Sequence, residues 1–229
     1  MGVRGGRPRE PLYRAAEIVV IPPLKLWFNW RMEGQERVPR GGPLIVAANH
    51  ISYLDPLAHG YFLVSAGRRP RFLAKAELFD VKVLGWVLRR GRQIPVRRGA
   101  GDRSPLDAAT DALRGGECLV VYPEGTVTKD PDFLPMKGKT GAVRLALATG
   151  APILPIAIWG SQHVWQKAGK GSLRFGRPIW LQAGAPIDLT SHSSATDDVD
   201  SLRSLTAQVM AALTALVQDL RGRYPSRWA

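Results

Sequence analysis

His50 and Asp55 stand five positions apart in Ala48-Asn49-His50-Ile51-Ser52-Tyr53-Leu54-Asp55-Pro56-Leu57, directly after the apolar run Pro43-Leu44-Ile45-Val46-Ala47. A histidine that takes a proton at neutral pH needs one fixed tautomer, and a carboxylate on its far ring nitrogen supplies that tautomer and stabilises the imidazolium. On one continuous helix, residues five apart lie about 140° apart around the axis, so the pair meets only if the chain turns between them. The sequence offers the turn in two ways. Ser52 to Asp55 has capping-box spacing, and Asp55-Pro56 has the form of an N-cap followed by a first helical proline. The competing reading is that Asp55 only caps a helix and His50 is one of four ordinary histidines.

Two further segments bear on the choice. In Tyr122-Pro123-Glu124-Gly125-Thr126 a glycine lets backbone approach a ligand, and a threonine hydroxyl can donate a hydrogen bond. In Gly91 to Gly99, Arg97 and Arg98 present two planar guanidinium forks of the kind that suit phosphate.

The elements that must carry these residues alternate. Apolar runs at 43–48, 71–74, 94–96, 118–122 and 153–159 read as strands, and 56–66, 80–90, 104–114 and 139–149 read as helices, the last ended by Gly150. Short, fully apolar strands separated by helices predict an α/β fold, a largely parallel sheet flanked by helices on both faces. Leu173–Phe175 and Ile179–Gln182 are expected as late or edge strands, and 191–200 as a polar linker. Leu202, Leu205, Val209, Leu213, Leu216 and Leu220 form one apolar stripe on a final helix. Sites in such sheets gather outside the carboxyl ends of strands. His50, Arg97-Arg98, Glu124–Thr126 and Gly160 each follow a strand, so one pocket can collect all four.

Composition narrows the class. The chain has 229 residues, room for one domain with a sizeable core. Its only cysteine, Cys118, excludes an internal disulfide and sits in the run Cys118–Tyr122, where a small core residue is expected. No spacing of Cys, His and carboxylates suggests a metal. Net charge is +13, and between Arg68 and Arg103 eleven basic residues face three acidic ones. The apolar residues interleaved with them, among them Phe79, Val83, Leu84 and Trp86, suit an anionic membrane surface better than nucleic acid, for which no recognition motif is present. No run of about 18 apolar residues predicts a spanning helix. Residues 1–32, with Trp27 and Trp30 beside Lys25 and Arg31, are expected to form an N-terminal membrane-interfacial segment, followed by one domain over 33–229. A helix packed on the domain's own core is the alternative for that segment.

The ordered set of motifs resembles the glycerolipid acyltransferase family, the 1-acylglycerol-3-phosphate acyltransferases and their relatives, in an actinobacterial-type branch. Asn49 to Asp55 matches the family's block of a histidine, four residues and an aspartate. Gly91 to Gly99 matches the substrate-arginine block, Tyr122 to Thr126 the Pro-Glu-Gly-Thr block, and Ala151 to Ala157 a proline-centred fourth block. The resemblance implies transfer of a fatty acyl group from acyl-CoA or acyl-carrier protein to a lipid hydroxyl, with no cofactor and no covalent acyl-enzyme. It makes His50 the general base and Asp55 its orienter, Arg98 or its neighbour Arg97 a contact to acceptor phosphate, and Asn49, Glu124, Gly125 and Thr126 part of the acceptor site. Many members follow Glu-Gly-Thr with arginine, whereas Val127 and Thr128 stand here, so Lys129, Lys137 or Lys139 must replace that cation if it is replaced at all.

The expected protein acylates a glycerophospholipid precursor, lysophosphatidic acid giving phosphatidic acid, from the cytoplasmic face of the cell membrane as a peripheral or monotopic enzyme. Glycerol 3-phosphate or a glycolipid as acceptor, and a non-catalytic basic lipid-binding module, are the alternatives.

Overall fold

The computed structural model describes residue 19 and residues 21–97, 104–166, 169, 171–195 and 198–228. Helix α1 (Ile21–Trp27) leads into strand β1 (Asn29–Glu33). Then come β2 (Leu44–Ala48), α2 (Asp55–Ser65), β3 (Pro70–Lys75), α3 (Lys82–Arg90), β4 (Ile94–Val96), α4 (Ser104–Arg114), β5 (Cys118–Val121), α5 (Gly141–Thr149), β6 (Ile153–Trp159), β7 (Pro178–Ala183) and α6 (Val199–Arg223). The strands form one sheet in the order β1-β7-β6-β2-β5-β3-β4. Every pairing is parallel except β6 with β7, so β1 and β7 run against the rest. The expected α/β sheet flanked by helices is present.

The central strands read as continuous apolar runs because helices cover both faces. β2 and β6 are buried at every position. Pro155 sits inside β6 without breaking it, because β7 ends at Ala183 on that side and the Pro155 carbonyl accepts from Gly184 N–H at 2.8 Å. α6 lies on this layer with Leu202, Leu205, Val209, Leu213 and Leu220 of the expected stripe buried, and Val217 with them. At about 1.5–3 kcal/mol for each buried aliphatic side chain, the stripe alone accounts for the docking of this helix. α5 ends as its sequence predicts, with Gly150 in the left-handed region at φ 69°.

One expected strand is absent and one unexpected strand is present. Leu173–Phe175 is not a strand but an exposed approach to β7. Asn29–Glu33, expected within an interfacial segment, is an edge strand that pairs with β7 from Asn29↔Pro178 to Glu33↔Gln182, and it runs across the expected 32/33 boundary. Its partner lies some 150 positions away, and a polar edge strand carries no apolar run by which to be recognised. Trp30 is accordingly half-buried, its indole N–H donating to the Leu24 carbonyl at 2.8 Å. The expected linker begins with a 3-10 turn over Thr190–Ala195. Among the described residues, no helix is long and apolar enough to cross a membrane.

Candidate active site

β2 delivers His50 at its carboxyl end, and the chain then turns through Ser52 into α2. Asp55 is the first residue of α2, not its cap, and its side chain points back over the turn. Oδ2 accepts three hydrogen bonds, from Ile51 N–H at 2.6 Å, Ser52 N–H at 2.8 Å and His50 Nδ1–H at 2.9 Å. Oδ1 accepts from the Ser161 hydroxyl at 2.6 Å. A fully buried carboxylate with this many donors is held in a single position. Because His50 spends its Nδ1 proton on Asp55, Nε2 carries the lone pair. The histidine side chain retains 15% exposure while Asp55 has none, so the dyad opens outward from a dry base.

The turn after β5 grips the same histidine from the other side. Glu124 Oε1 accepts from the backbone N–H of His50 at 3.1 Å, Oε2 accepts from Met136 N–H at 3.0 Å, and Thr128 N–H donates to the His50 carbonyl at 2.7 Å. Burial raises the Glu124 carboxyl above its ordinary range, an effect opposed by the Met136 and His50 N–H donors. Both of its oxygens are thus committed to backbone, and this residue, expected in the acceptor site, fixes the His50 segment. Tyr122 adds a third restraint. Its ring stacks on His50 at 4.2 Å between centroids with 21° between planes, and its hydroxyl lies 3.2 Å from Nδ1 of His59. His59 also donates from Nδ1 to the Asp55 carbonyl at 2.9 Å, and burial pushes its pKa down to about 4.

The remaining expected residues divide. Asn49 is buried and faces the sheet: its amide donates to the Ile158 carbonyl at 3.1 Å and accepts from Ile158 N–H at 2.8 Å, continuing the β2–β6 ladder by one step. Both ends of its amide are thus engaged with the sheet. Gly125, at φ 71°, and Thr126 are half-buried in the turn, and a Cβ on Gly125 would stand 2.9 Å from Lys139 Nζ. Lys137 is exposed on the same loop. Arg97 is exposed just beyond β4, three strands from β2 and so about 14 Å across the sheet. Arg98 lies outside the described residues. Part of the basic run is structural: Arg68 is buried, donating to the carbonyls of Pro39 and Gly42 at 2.8 and 2.7 Å, and Arg71 pairs with Glu117 at 2.9 Å. Cys118 is a buried core residue whose thiol is pushed up to about 12 by burial.

Sequence reasoning missed Ser161 and His59. Ser161 is carried by Gly160, which takes φ 98° at the end of β6, and a glycine after a fully apolar strand was the available signal. His59 lies four residues after Asp55 on α2, inside an apolar stretch that gave no sign of the Tyr122 contact.

The arrangement places a tautomer-locked imidazole, open on one side, at the carboxyl ends of three adjacent strands, β6, β2 and β5. It can take a proton from a hydroxyl brought to Nε2.

The Acyltransferase family model matches residues 29–159, more than half of the chain and a span that includes His50, Asp55, Tyr122 and Glu124. A chloroplastic 1-acyl-sn-glycerol-3-phosphate acyltransferase of Brassica napus is 30% identical over 165 residues, 70% of this chain and 45% of that protein. A lyso-ornithine lipid O-acyltransferase of Pseudomonas aeruginosa is 31% identical over 132 residues, 57% of this chain and 47% of that protein. The chain thus spans less than half the length of these curated relatives. The crystal structure of the 1-acyl-sn-glycerophosphate acyltransferase PlsC from Thermotoga maritima superimposes with a TM-score of 0.69 at 26% identity, covering 96% of this chain and 86% of that one.

Proposed function

Because the chain belongs to the acyltransferase family, we propose that it transfers a fatty acyl group from acyl-CoA or acyl-carrier protein to the hydroxyl of a lysophospholipid, with lysophosphatidic acid as acceptor and phosphatidic acid as product. The observation that carries this reading is the 2.9 Å contact between His50 Nδ1 and Asp55 Oδ2 in a dyad open to solvent on the histidine side. His50 Nε2 takes the acceptor's hydroxyl proton as that oxygen attacks the thioester carbonyl. The tetrahedral intermediate then expels sulfur, the C–S bond breaks, and the imidazolium returns the proton to the departing thiolate. No metal or prosthetic group is invoked. Such base catalysis contributes about 10²- to 10⁴-fold in rate.

Lys139 beside Gly125, with Lys137 and Arg97, supplies cations for the acceptor phosphate in place of the arginine that Val127-Thr128 displaces. That displacement favours one second reading. Val127 is buried and Thr128 is tied to His50 and Leu134, so neither position can present a phosphate ligand. An acceptor with a differently placed headgroup charge, a glycolipid or an aminoacylated lysolipid, fits that site. The enzyme acts at the cytoplasmic face of a membrane, held peripherally by anionic lipid.

The test is thiol release from palmitoyl-CoA with lysophosphatidic acid, glycerol 3-phosphate and lyso-glycolipids offered in turn. Release with a lysolipid that disappears in His50→Ala supports the reading. Vesicle binding without release for any acceptor would leave only a lipid-binding module.

A further inference from the structure

Resting on the reading of the chain as an acyltransferase, we propose that a cavity behind the β6 turn seats the nucleotide end of the acyl donor, the adenosine 3′,5′-bisphosphate of coenzyme A, which makes the donor a CoA thioester. Phe133, Trp159, Gln162, His163, Arg221 and Tyr224 line this cavity of about 360 Å³, a volume within the range of small-molecule sites.

Its walls are the backs of the segments that hold the dyad. The turn after β6 supplies Gln162 and His163, and the residue before them, Ser161, is the one bonded to Asp55. The loop after β5 supplies Phe133. There the Asp130 carboxylate accepts from Asp132 N–H at 2.9 Å and from Leu134 N–H at 3.2 Å, with Phe133 between them at φ 59°. Thr128 ties that loop to the dyad, its hydroxyl donating to the Leu134 carbonyl at 2.9 Å and its N–H to the His50 carbonyl at 2.7 Å. The end of α6 closes the remaining side with Arg221, and Tyr224 follows it. Because β6 is the neighbour of β2, the cavity lies about one strand spacing, 4.8 Å, from the strand that delivers His50. The pantetheine arm of coenzyme A spans that gap with length to spare.

The lining matches a purine nucleotide. Aromatic rings receive a flat base, and Phe133 and Trp159 already meet edge-on at 6.5 Å. Gln162 is fully buried: its oxygen accepts from Gly160 N–H at 2.8 Å and its amide donates to His163 Nε2 at 3.3 Å. The second amide hydrogen has no partner among the described residues, and an acceptor on the base would satisfy it. The Arg221 guanidinium lies 5.8 Å from the Trp159 ring centre and pairs with Asp132 at 2.9 Å. Both members of that pair are exposed, so it is weak and yields readily to a phosphate. Further cations stand at the rim, where Arg174 and Arg177 lie over the Trp228 ring at 4.7 and 5.5 Å, two residues beyond Ser226. An acyl chain would leave Gln162 and Arg221 unmatched. A carrier protein, which bears the same arm without the base, would leave the rings unfilled.

The test titrates the full chain with adenosine 3′,5′-bisphosphate by calorimetry, and compares palmitoyl-CoA with palmitoyl-pantetheine, the same thioester without the nucleotide, as donors to lysophosphatidic acid. Arg221→Glu reverses the charge at the mouth, and Ser226→Trp fills the cavity from its exposed rim. Each variant is expected to weaken the bisphosphate about tenfold and to raise the KM for palmitoyl-CoA about tenfold, while kcat and the KM for palmitoyl-pantetheine hold. A parent that ignores the bisphosphate overturns the proposal, as do variants that bind it like the parent. Equal rises in KM for the two donors overturn it too, since the cavity would then serve the thioester end. Variant-sensitive binding of the bisphosphate without thiol release for any acceptor sustains the nucleotide cavity and refutes the acyltransferase reading alone.

Discussion

The ring of Tyr122 lies flat against the imidazole of His50, 4.2 Å between centroids, while its hydroxyl contacts the buried His59. When His50 takes up a proton, the aromatic face meets a cation, an attraction worth about 0.5–2 kcal/mol. Tyr122→Leu removes the face and is expected to lower kcat about three- to tenfold. Tyr122→Phe keeps the face and gives up only the hydroxyl contact, so its rate should stay near the parent's. Equal rates in all three proteins would strip the stack of any role in the reaction.

Ser161 reaches Asp55 from the opposite side, its hydroxyl donating to Oδ1 at 2.6 Å in a region with no exposure. Ser161→Ala leaves that oxygen one donor short at a cost of about 1–3 kcal/mol. Since the loss falls on the residue that orients His50, kcat should drop while the KM for acceptor holds. A KM effect without a kcat effect would move Ser161 from positioning to substrate contact.

Glu124 divides its two oxygens between the backbone of His50 and that of Met136. Glu124→Gln can accept only through its carbonyl oxygen, so one of the two N–H groups faces an amide nitrogen instead. The expected result is a loss of about 1–3 kcal/mol in stability, a fall in melting temperature of roughly 2–12 °C for a chain of this size, and a lower kcat. An unchanged melting temperature would contradict the clamp.

The His50–Asp55 pair was legible because both partners sit in one short segment with Pro56 marking the helix start, and the α6 stripe and Gly150 were legible because periodicity and capping are local. What stayed hidden depends on strand order. Glu124 reads as an acceptor residue until β5 is placed beside β2, and only then do its oxygens fall on the His50 segment. Asn49 reads as part of a motif until β6 arrives on the other side and takes both of its amide groups. The apolar residues of α3 suit a membrane surface by their company of basic side chains, but that the small Gly85 packs inward emerges only once the helix is placed.

His59 gives the fold a pH dependence. Its pKa is pushed down to about 4 by burial, from an ordinary 6.5, and Asp55 opposes that shift only in part. Above pH 6.5 the ring is neutral in folded and unfolded chain alike, and it contributes no pH dependence. Between pH 6.5 and about 4 the unfolded chain binds a proton that the native protein refuses, so stability falls as pH falls, by about 3 kcal/mol across the window. Denaturant unfolding at pH 7 and pH 4.5 should show this loss in the parent and a shallower slope in His59→Gln. Parallel slopes would place the acid sensitivity elsewhere.

Gly160 connects stability to the site. At φ 98° it adopts backbone that L residues rarely enter, and a Cβ there would stand 2.3 Å from the Pro178 carbonyl and 3.0 Å from the Tyr224 ring. Both obstacles belong to the contacts that close the end of β6, since the Tyr224 hydroxyl itself donates to Pro178 O at 3.0 Å. Relief requires the turn to move, and the next residue in that turn is Ser161. Gly160→Ala should therefore lose more than the 1–3 kcal/mol expected of strained backbone alone and should also reduce turnover by pulling the hydroxyl from Asp55. Gly222→Ala is the matching control, because nothing lies within 4 Å of its Cβ position near the end of α6. There the substitution should stabilise by about 0.5–1 kcal/mol with activity untouched. If Gly160→Ala melts with the parent and turns over at the parent rate, the β6 turn does not position Asp55 through Ser161.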